Sequence, residues 1–480
     1  MDPSIAKELL SFQVAHVLQL DEALKGSNCI LDASDTGTGK TYCAIALCKI
    51  KQLEPFIICP KSVINTWADV CKKFNVNMRG IANYEMLKGG KYYTNDFERI
   101  DCPYFDKIKV GEKIDFIFQL PIDTLVIFDE AHRCKNHKTS TSKLLLSAQT
   151  SGIKVLLLSA TLADKLIAFS VFGTVFGLYN GIKKFNDWMR KQMVINKIKY
   201  ANKNLDEEQI KLDIIHKTLF PKYGSRMKIK ELGDLFPKNN IISQCYYMEN
   251  YNEIDKLYDE INLAMEELKN KETRADGLGK IIRARQRIEL LKVPVFVDIA
   301  EEALDNGYSV AIFVNFTETL YNLCHHLNSS CIIMGGQSTE ERDTNIKDFQ
   351  NNKEKVIVAM IQAGGVGVSL HDLYGRPRMS VISPPFSGIM LQQTLGRIFR
   401  AGSKSPAIQK IVYCAKSYEE RICEIIKTKL KTISTINDGD LVGPKISMEK
   451  INQFNEYMNK GDESETWKAP PPPKDKVNND

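Results

Sequence analysis

The chain has 480 residues, of which 43% are hydrophobic and 26% charged, and a formal net charge of +6. That length excludes one ordinary core and predicts two or three domains of a normal globular composition. The mixed-charge start Met1-Asp-Pro-Ser-Ile-Ala-Lys-Glu8 has no secretory pattern and no apolar run reaches membrane-spanning length, so an intracellular protein with no membrane partner is expected. Twelve cysteines without a Cys-x-x-Cys pair suggest neither a zinc ribbon nor a disulfide framework, and reduced core thiols are expected.

In chain order, Ser11-Phe-Gln-Val-Ala-His16 lies in a helical pattern with Leu9, Val17 and Leu20. The Gln13 amide both donates and accepts, which suits the two-sided edge of adenine. Cys29-Ile-Leu-Asp-Ala33 reads as a buried strand, Ser34-Asp-Thr-Gly-Thr-Gly-Lys-Thr41 as a phosphate-binding loop, and Tyr42 to Lys49 as the helix after it. Such a turn aims backbone N–H groups and a helix N-terminus at one anionic point. Across Ser34, Asp35, Thr36, Gly37, Thr38, Gly39, Lys40 and Thr41, the glycines let the backbone approach phosphate. Lys40 would reach the β and γ oxygens of ATP, and the Thr41 hydroxyl would ligate Mg²⁺. Ser34 stands where the pattern has its first glycine. A plain glycine-rich turn before a helix is the alternative for this stretch taken alone.

Pro55-Phe-Ile-Ile-Cys-Pro60 predicts a second strand, with Lys61-Ser-Val-Ile-Asn-Thr-Trp67 opening a helix at its end. Ser62 there could hold a nucleic-acid phosphate, and Trp67 reads as core rather than a stacking platform. Leu125-Val-Ile-Phe-Asp-Glu-Ala-His132 is an apolar strand ending in two carboxylates. Asp129 is placed to hold Mg²⁺ and Glu130 to polarise the attacking water. Val155-Leu-Leu-Leu-Ser-Ala-Thr161 follows as another strand, its hydroxyls placed to link the nucleotide to the second half.

Glutamine, phosphate loop, Asp-Glu-Ala-His and Ser-Ala-Thr in this order resemble the helicase-like superfamily 2 ATPases. Asp129-Glu-Ala-His-Arg-Cys-Lys-Asn136 is similar to the extended second motif of the Snf2-type DNA translocases. The resemblance implies that His132 couples two lobes and that Lys135 and Asn136 belong to their interface.

From 181 to 232 the chain carries 13 Lys or Arg against 6 Asp or Glu and reads as a basic helical insertion, suited to a polyanion or simply a solvated face. Arg283, Arg285 and Arg287 lie close together in a later helical stretch, as candidates for nucleic-acid phosphate. Strands at 310–314, 331–334 and 356–360 predict a second parallel sheet. Gln362-Ala-Gly-Gly-Val-Gly-Val-Ser-Leu370 follows, with Gly367 able to approach the nucleotide. Gln392-Gln-Thr-Leu-Gly-Arg-Ile-Phe-Arg400 matches the sixth motif of superfamily 2 from Gln393 onward. Gln393, Arg397 and Arg400 join Glu130 as the expected catalytic residues, the arginines as forks that reach phosphate oxygens from the second lobe.

The expected fold is α/β: two RecA-like parallel-sheet lobes in tandem, at 1–232 with the insertion and at 233–446, with a tail over 447–480 that is partly disordered. The resemblance is greatest to compact virus- or phage-encoded members, although Ala401-Gly-Ser-Lys-Ser405 replaces the Gly-Gln that usually continues the sixth motif. The implied activity is a nucleic-acid-dependent ATPase using ATP and Mg²⁺ to translocate on duplex DNA. A strand-separating helicase on DNA or RNA is the alternative, and a slowly hydrolysing ATP-gated scaffold the third reading.

Overall fold

The structure, a computed structural model, describes residues 1–110, 113–160, 166, 169–200, 207–232, 238–268, 274–364, 368–385 and 388–431. Thr161, Gly367, the expected lobe boundary and the tail fall outside them. Among the described residues no helix is long and apolar enough to cross a membrane.

Apolar runs broken by turn residues produce the strands. In the first half these are β1 (Cys29–Asp32), β2 (Glu54–Cys59), β3 (Gly80–Asn83), β4 (Lys91–Tyr93) and β5 (Arg99–Asp101), then the separate hairpin β6 (Phe105–Val110) and β7 (Lys113–Phe118), then β8 (Thr124–Asp129), β9 (Lys154–Leu158) and β10 (Gly224–Ser225). The first sheet has the order β10-β1-β9-β8-β2-β3-β4-β5, parallel except where β4 and β5 turn back. β11 (Asn239–Tyr246), β12 (Ser309–Val314), β13 (Ile332–Ile333), β14 (Val356–Met360), β15 (Arg378–Ile382) and β16 (Ala407–Cys414) make an all-parallel second sheet in the order β11-β16-β15-β12-β14-β13. These are the two expected lobes.

Both sheets are covered on both faces. Along β8, Leu125 and Ile127 enter one apolar cluster while Val126 and Phe128 enter the opposite one, and all four are fully buried. Burial of such side chains contributes about 1.5–3 kcal/mol each. The two-sided layering fixes where each strand ends, and therefore where its last polar residue emerges.

The segment 181–232 is helical as expected and adds a strand that its sequence does not announce. Phe185–Tyr200 and Glu207–Leu219 are helices, but the chain then returns as β10, parallel to β1 with Leu31 opposite Gly224 and Asp32 opposite Ser225. Two residues of strand are too short to give an alternating pattern in the sequence.

In the second lobe a buried ion pair joins the helix Tyr418–Lys431 to the residue before the helix Val293–Asp305. Lys292 Nζ lies 2.5 Å from Glu419 Oε1, and each side chain is 2% exposed. Tyr258 Oη and the Cys414 N–H also donate to that carboxylate, at 2.8 and 2.7 Å. Removing one partner of a buried pair typically costs about 3–5 kcal/mol. Glu419→Ala is expected to lower the urea midpoint accordingly, and Glu419→Leu with Lys292→Met to lower it much less. A double variant as unstable as the single one would show that packing, not charge, governs the site.

Candidate active site between the lobes

The phosphate loop leaves β1 and enters the helix Lys40–Lys51, whose residues 43–48 are all fully buried and anchor it. Gly39 is the helix cap at φ 91°, a left-handed conformation that L side chains rarely adopt. A Cβ there would also fall 2.2 Å from Gln13 Nε2. Lys40 Nζ donates to the carbonyls of Ser34 at 2.8 Å and Asp35 at 3.2 Å, and Thr41 lies in the first helical turn. The Thr38 hydroxyl donates to the Asp35 carbonyl at 2.8 Å.

Gln13 is 4% exposed, and its amide is engaged within the protein. Its Nε2 donates to the Thr38 carbonyl at 2.7 Å and its Oε1 accepts the Leu10 N–H at 2.8 Å. A buried amide takes the nearest backbone partners, and here they belong to the loop itself and to the start of its own helix, so Gln13 ties that helix to the phosphate loop.

Sequence reasoning missed a clamp on the other side of the loop. The N–H of Ala33 donates to the Ser225 carbonyl and that of Asp35 to the Met227 carbonyl, each at 3.0 Å. In return Ser34 Oγ accepts the Met227 N–H at 2.9 Å and Asp35 Oδ2 that of Ile229 at 2.8 Å. Burial raises the Asp35 pKa, opposed by the Ile229 N–H and by Arg226. Residues 193 and 194 positions apart in sequence meet here, and no local pattern announces them.

At the end of β8, Asp129 Oδ2 accepts the Trp67 indole N–H at 3.0 Å, Oδ1 accepts the Glu130 N–H at 2.9 Å, and the Asp129 carbonyl accepts Tyr84 Oη at 2.7 Å. Trp67 is fully buried, so it serves to hold this carboxylate and offers no face to a base. Glu130 stands at φ 53°, in the left-handed region, where the chain leaves the strand. His132 Nδ1 lies 3.3 Å from both Glu130 Oε2 and Ser159 Oγ, linking β8 to β9. Burial and then the neighbouring Glu130 charge push the Asp129 pKa up. For Glu130, burial is outweighed by the His132 hydrogen bond and by the charges of His132, Lys40 and Arg397, which hold it down as the anion. Asn136 makes a local turn, its Oδ1 accepting the Lys138 N–H at 3.1 Å.

The second lobe lies directly on the phosphate loop. The Ala401 N–H donates to the Gly37 carbonyl at 3.1 Å, and a Cβ on Gly37 would fall 3.2 Å from Arg400 Cγ. Gly396 approaches so closely that a Cβ there would lie 2.6 Å from Thr36 Cγ2. Phe12 and Ile229 pack against the second-lobe cluster that contains Leu395, Ile398 and Phe399. Arg397 Nε donates to the Gln393 carbonyl at 2.7 Å, and Arg400 Nη2 donates to the Val368 carbonyl at 2.8 Å. Burial lowers Arg397 to about 9 and Arg400 to about 10, leaving both protonated at neutral pH.

The expected cluster of Arg283, Arg285 and Arg287 does not form one face. Arg285 turns inward toward the Pro384 carbonyl, Arg287 pairs with Glu253 at 3.0 Å, and Arg283 is exposed. Helical periodicity leaves Arg283 and Arg287, four apart, on one side and turns Arg285, roughly 200° from each, to the other.

Two parallel-sheet lobes with a phosphate loop and a carboxylate pair on one, and paired arginines against that loop from the other, define a two-lobed nucleotide hydrolase of the helicase type. Residues 16–169 match the DEAD/DEAH box helicase family and residues 292–402 the helicase conserved C-terminal domain. "Putative ATP-dependent RNA helicase L364" of Acanthamoeba polyphaga mimivirus is 39% identical over 92% of this chain and 86% of its own length. The "ISWI chromatin-remodeling complex ATPase ISW1" of Saccharomyces cerevisiae is 22% identical over 88% of this chain, which spans 40% of that protein. The solved "Sulfolobus solfataricus SWI2/SNF2 ATPase core in complex with dsDNA" aligns at 17% identity and TM-score 0.35, over 93% of this chain and 96% of that one. The chain belongs to the superfamily 2 helicases, with Snf2-type proteins among its relatives, and it is an ATP hydrolase.

Proposed function

We propose that this protein is a nucleic-acid-stimulated ATPase that moves along double-stranded DNA, or remodels protein–DNA complexes, by opening and closing its two lobes around ATP. The observation that carries this is the Ala401 to Gly37 hydrogen bond, which sets the arginine segment of one lobe on the phosphate loop of the other. Lys40 would leave the Ser34 and Asp35 carbonyls for the β and γ phosphates. Glu130, an anion steadied by His132, would accept a proton from the attacking water. Arg397 and Arg400, with Gln393 holding Arg397 through its carbonyl, would meet the charge that develops on the phosphate oxygens.

Mg²⁺ fits the donors present. The Thr41 hydroxyl and the Asp129 carboxylate are hard oxygens, and Asp129 is already oriented by Trp67 and the Glu130 N–H. Among the described residues no group of three or more His, Cys, Asp or Glu could hold a metal. Mg²⁺ would therefore rest on one or two side chains and the nucleotide phosphates, and would supply charge neutralisation there. The division between the lobes we place in 233–237, between the helix Ile229–Leu232 and β11.

Duplex DNA is favoured by the extended second motif, Asp129 to Asn136, and by the chromatin-remodelling relative. The viral relative's name favours strand separation on RNA instead. The two readings part in one comparison: ATPase stimulation by blunt duplex DNA, and displacement of a strand from a tailed RNA or DNA duplex. Stimulation without displacement supports translocation, whereas ATP-dependent displacement overturns it in favour of the helicase.

Lys183, Lys184 and Lys191 are exposed beside and within the helix Phe185–Tyr200. Binding should weaken log-linearly with salt, and reversing these three charges should reduce the slope by about one for each phosphate that is no longer neutralised. An unchanged slope in a filter-binding titration would mark this helix as a solvated face.

A further inference from the structure

Beneath the phosphate loop lies a buried polar group to which the proposed hydrolysis assigns no role. His16 is 2% exposed, and Asp32 and Ser34 are fully buried. His16 Nε2 stands 3.0 Å from Asp32 Oδ2 and 3.3 Å from Ser34 Oγ. Asp32 Oδ1 accepts the Ser34 N–H at 2.9 Å, Ser34 Oγ accepts the Met227 N–H at 2.9 Å, and the Ser34 carbonyl receives Lys40 Nζ at 2.8 Å. Ser34 is thus held at its amide, its hydroxyl and its carbonyl. It also stands where a phosphate loop ordinarily has a glycine.

Burying a carboxylate against an imidazole costs desolvation that apolar residues of similar size would avoid, so stability alone does not account for this trio. We propose that His16 is a positioning residue for ATP binding: through Asp32 and Ser34 it fixes the floor of the phosphate loop. The hydroxyl makes this possible, because a glycine could neither face His16 nor accept the Met227 N–H. Loss of the imidazole would free the Asp32 carboxylate to turn and release the Ser34 amide. Part of the loop's ordering would then fall to the moment ATP binds, at the expense of affinity. The trio acts on the loop rather than on Glu130, Arg397 or Arg400, so nucleotide affinity suffers while the chemical step is preserved.

This inference rests on the ATPase reading, and its test separates the two. The full chain is assayed for steady-state hydrolysis and for equilibrium binding of a fluorescent ATP analogue. In His16→Leu, KM and Kd are expected to rise about tenfold, equivalent to about 1.4 kcal/mol of binding, with kcat within about threefold of wild type. His16→Gln, whose amide can donate to Asp32, should restore most of the affinity. Leu20→Ala, on the same helix and fully buried, supplies a destabilised comparison whose KM should not move. Adding Ser34→Gly to His16→Leu should change KM little further, since both act through one set of contacts.

The proposal is overturned if His16→Leu leaves KM and Kd unchanged, if Leu20→Ala raises them equally, or if His16→Gln is no better than His16→Leu. Should His16→Leu fail to fold, Ser34→Ala decides: a rise in Kd supports the assignment and an unchanged Kd overturns it. A wild-type chain that binds the analogue without hydrolysing ATP would instead sink the ATPase reading, and the binding arm would still judge His16.

Discussion

Glu130→Gln is expected to lower ATP turnover by at least about a hundredfold while ATP still binds, because the substitution removes the anionic side chain that the proposed mechanism uses to take a proton from the attacking water. General-base catalysis is worth about 10²–10⁴ in rate. The swap is nearly isosteric, and the amide oxygen can still face His132 across the 3.3 Å that separates Nδ1 from the carboxylate. The phosphate loop and Lys40 remain intact, so Kd for ATP should change only a few-fold. The carboxylate is held low by His132, Lys40 and Arg397 against the opposing effect of burial, so it is ionised and able to act at neutral pH. Steady-state hydrolysis beside equilibrium nucleotide binding checks both halves. Wild-type turnover in this variant would remove Glu130 from the chemistry.

Arg400→Ala should abolish nucleic-acid stimulation of hydrolysis, a loss of about 10³ or more if the arginine acts as phosphate-directed fingers do in related phosphoryl transfer. In the proposed mechanism neither lobe contains a complete site. Lys40, Asp129 and Glu130 belong to the first sheet's strand ends, whereas Arg397 and Arg400 come from the second lobe, and Arg400 approaches the loop where Ala401 and Gly37 touch. In the proposed mechanism, nucleic acid bound across both lobes would favour the closed arrangement and raise turnover by population shift. Arg400→Lys should rescue poorly, since a point charge cannot reproduce the guanidinium fork that now spans the Gly396 and Val368 carbonyls. ATP binding and DNA binding, measured separately, should survive in both variants. The fragment 1–232 should show no duplex-stimulated hydrolysis. Strong stimulation of that fragment would sink closure as the mechanism, and undiminished stimulation of Arg400→Ala would sink this residue's part in it.

The sequence by itself determined the strands that carry the motifs, the phosphate loop and the order of the motifs, because each is a local matter. Leu125 to Phe128 is apolar at every position, as a strand buried on both faces is, and its next two residues are the carboxylates. Gly39 is legible for the same reason: its conformation is written in one residue. What the tertiary structure alone decided is which side chains serve those motifs. The Trp67 indole holds Asp129 from 62 positions away, Ser225 to Ile229 clamp the loop from nearly 200, and the Gln13 amide donates to the Thr38 carbonyl. The basic segment after residue 181 looked like one insertion because charge is visible in sequence, but the two-residue strand that ends it is not. Hydrogen-bond partners of buried polar groups are chosen by what the packed sheet brings within about 3 Å, and that proximity depends on strand order, which short-range periodicity does not encode.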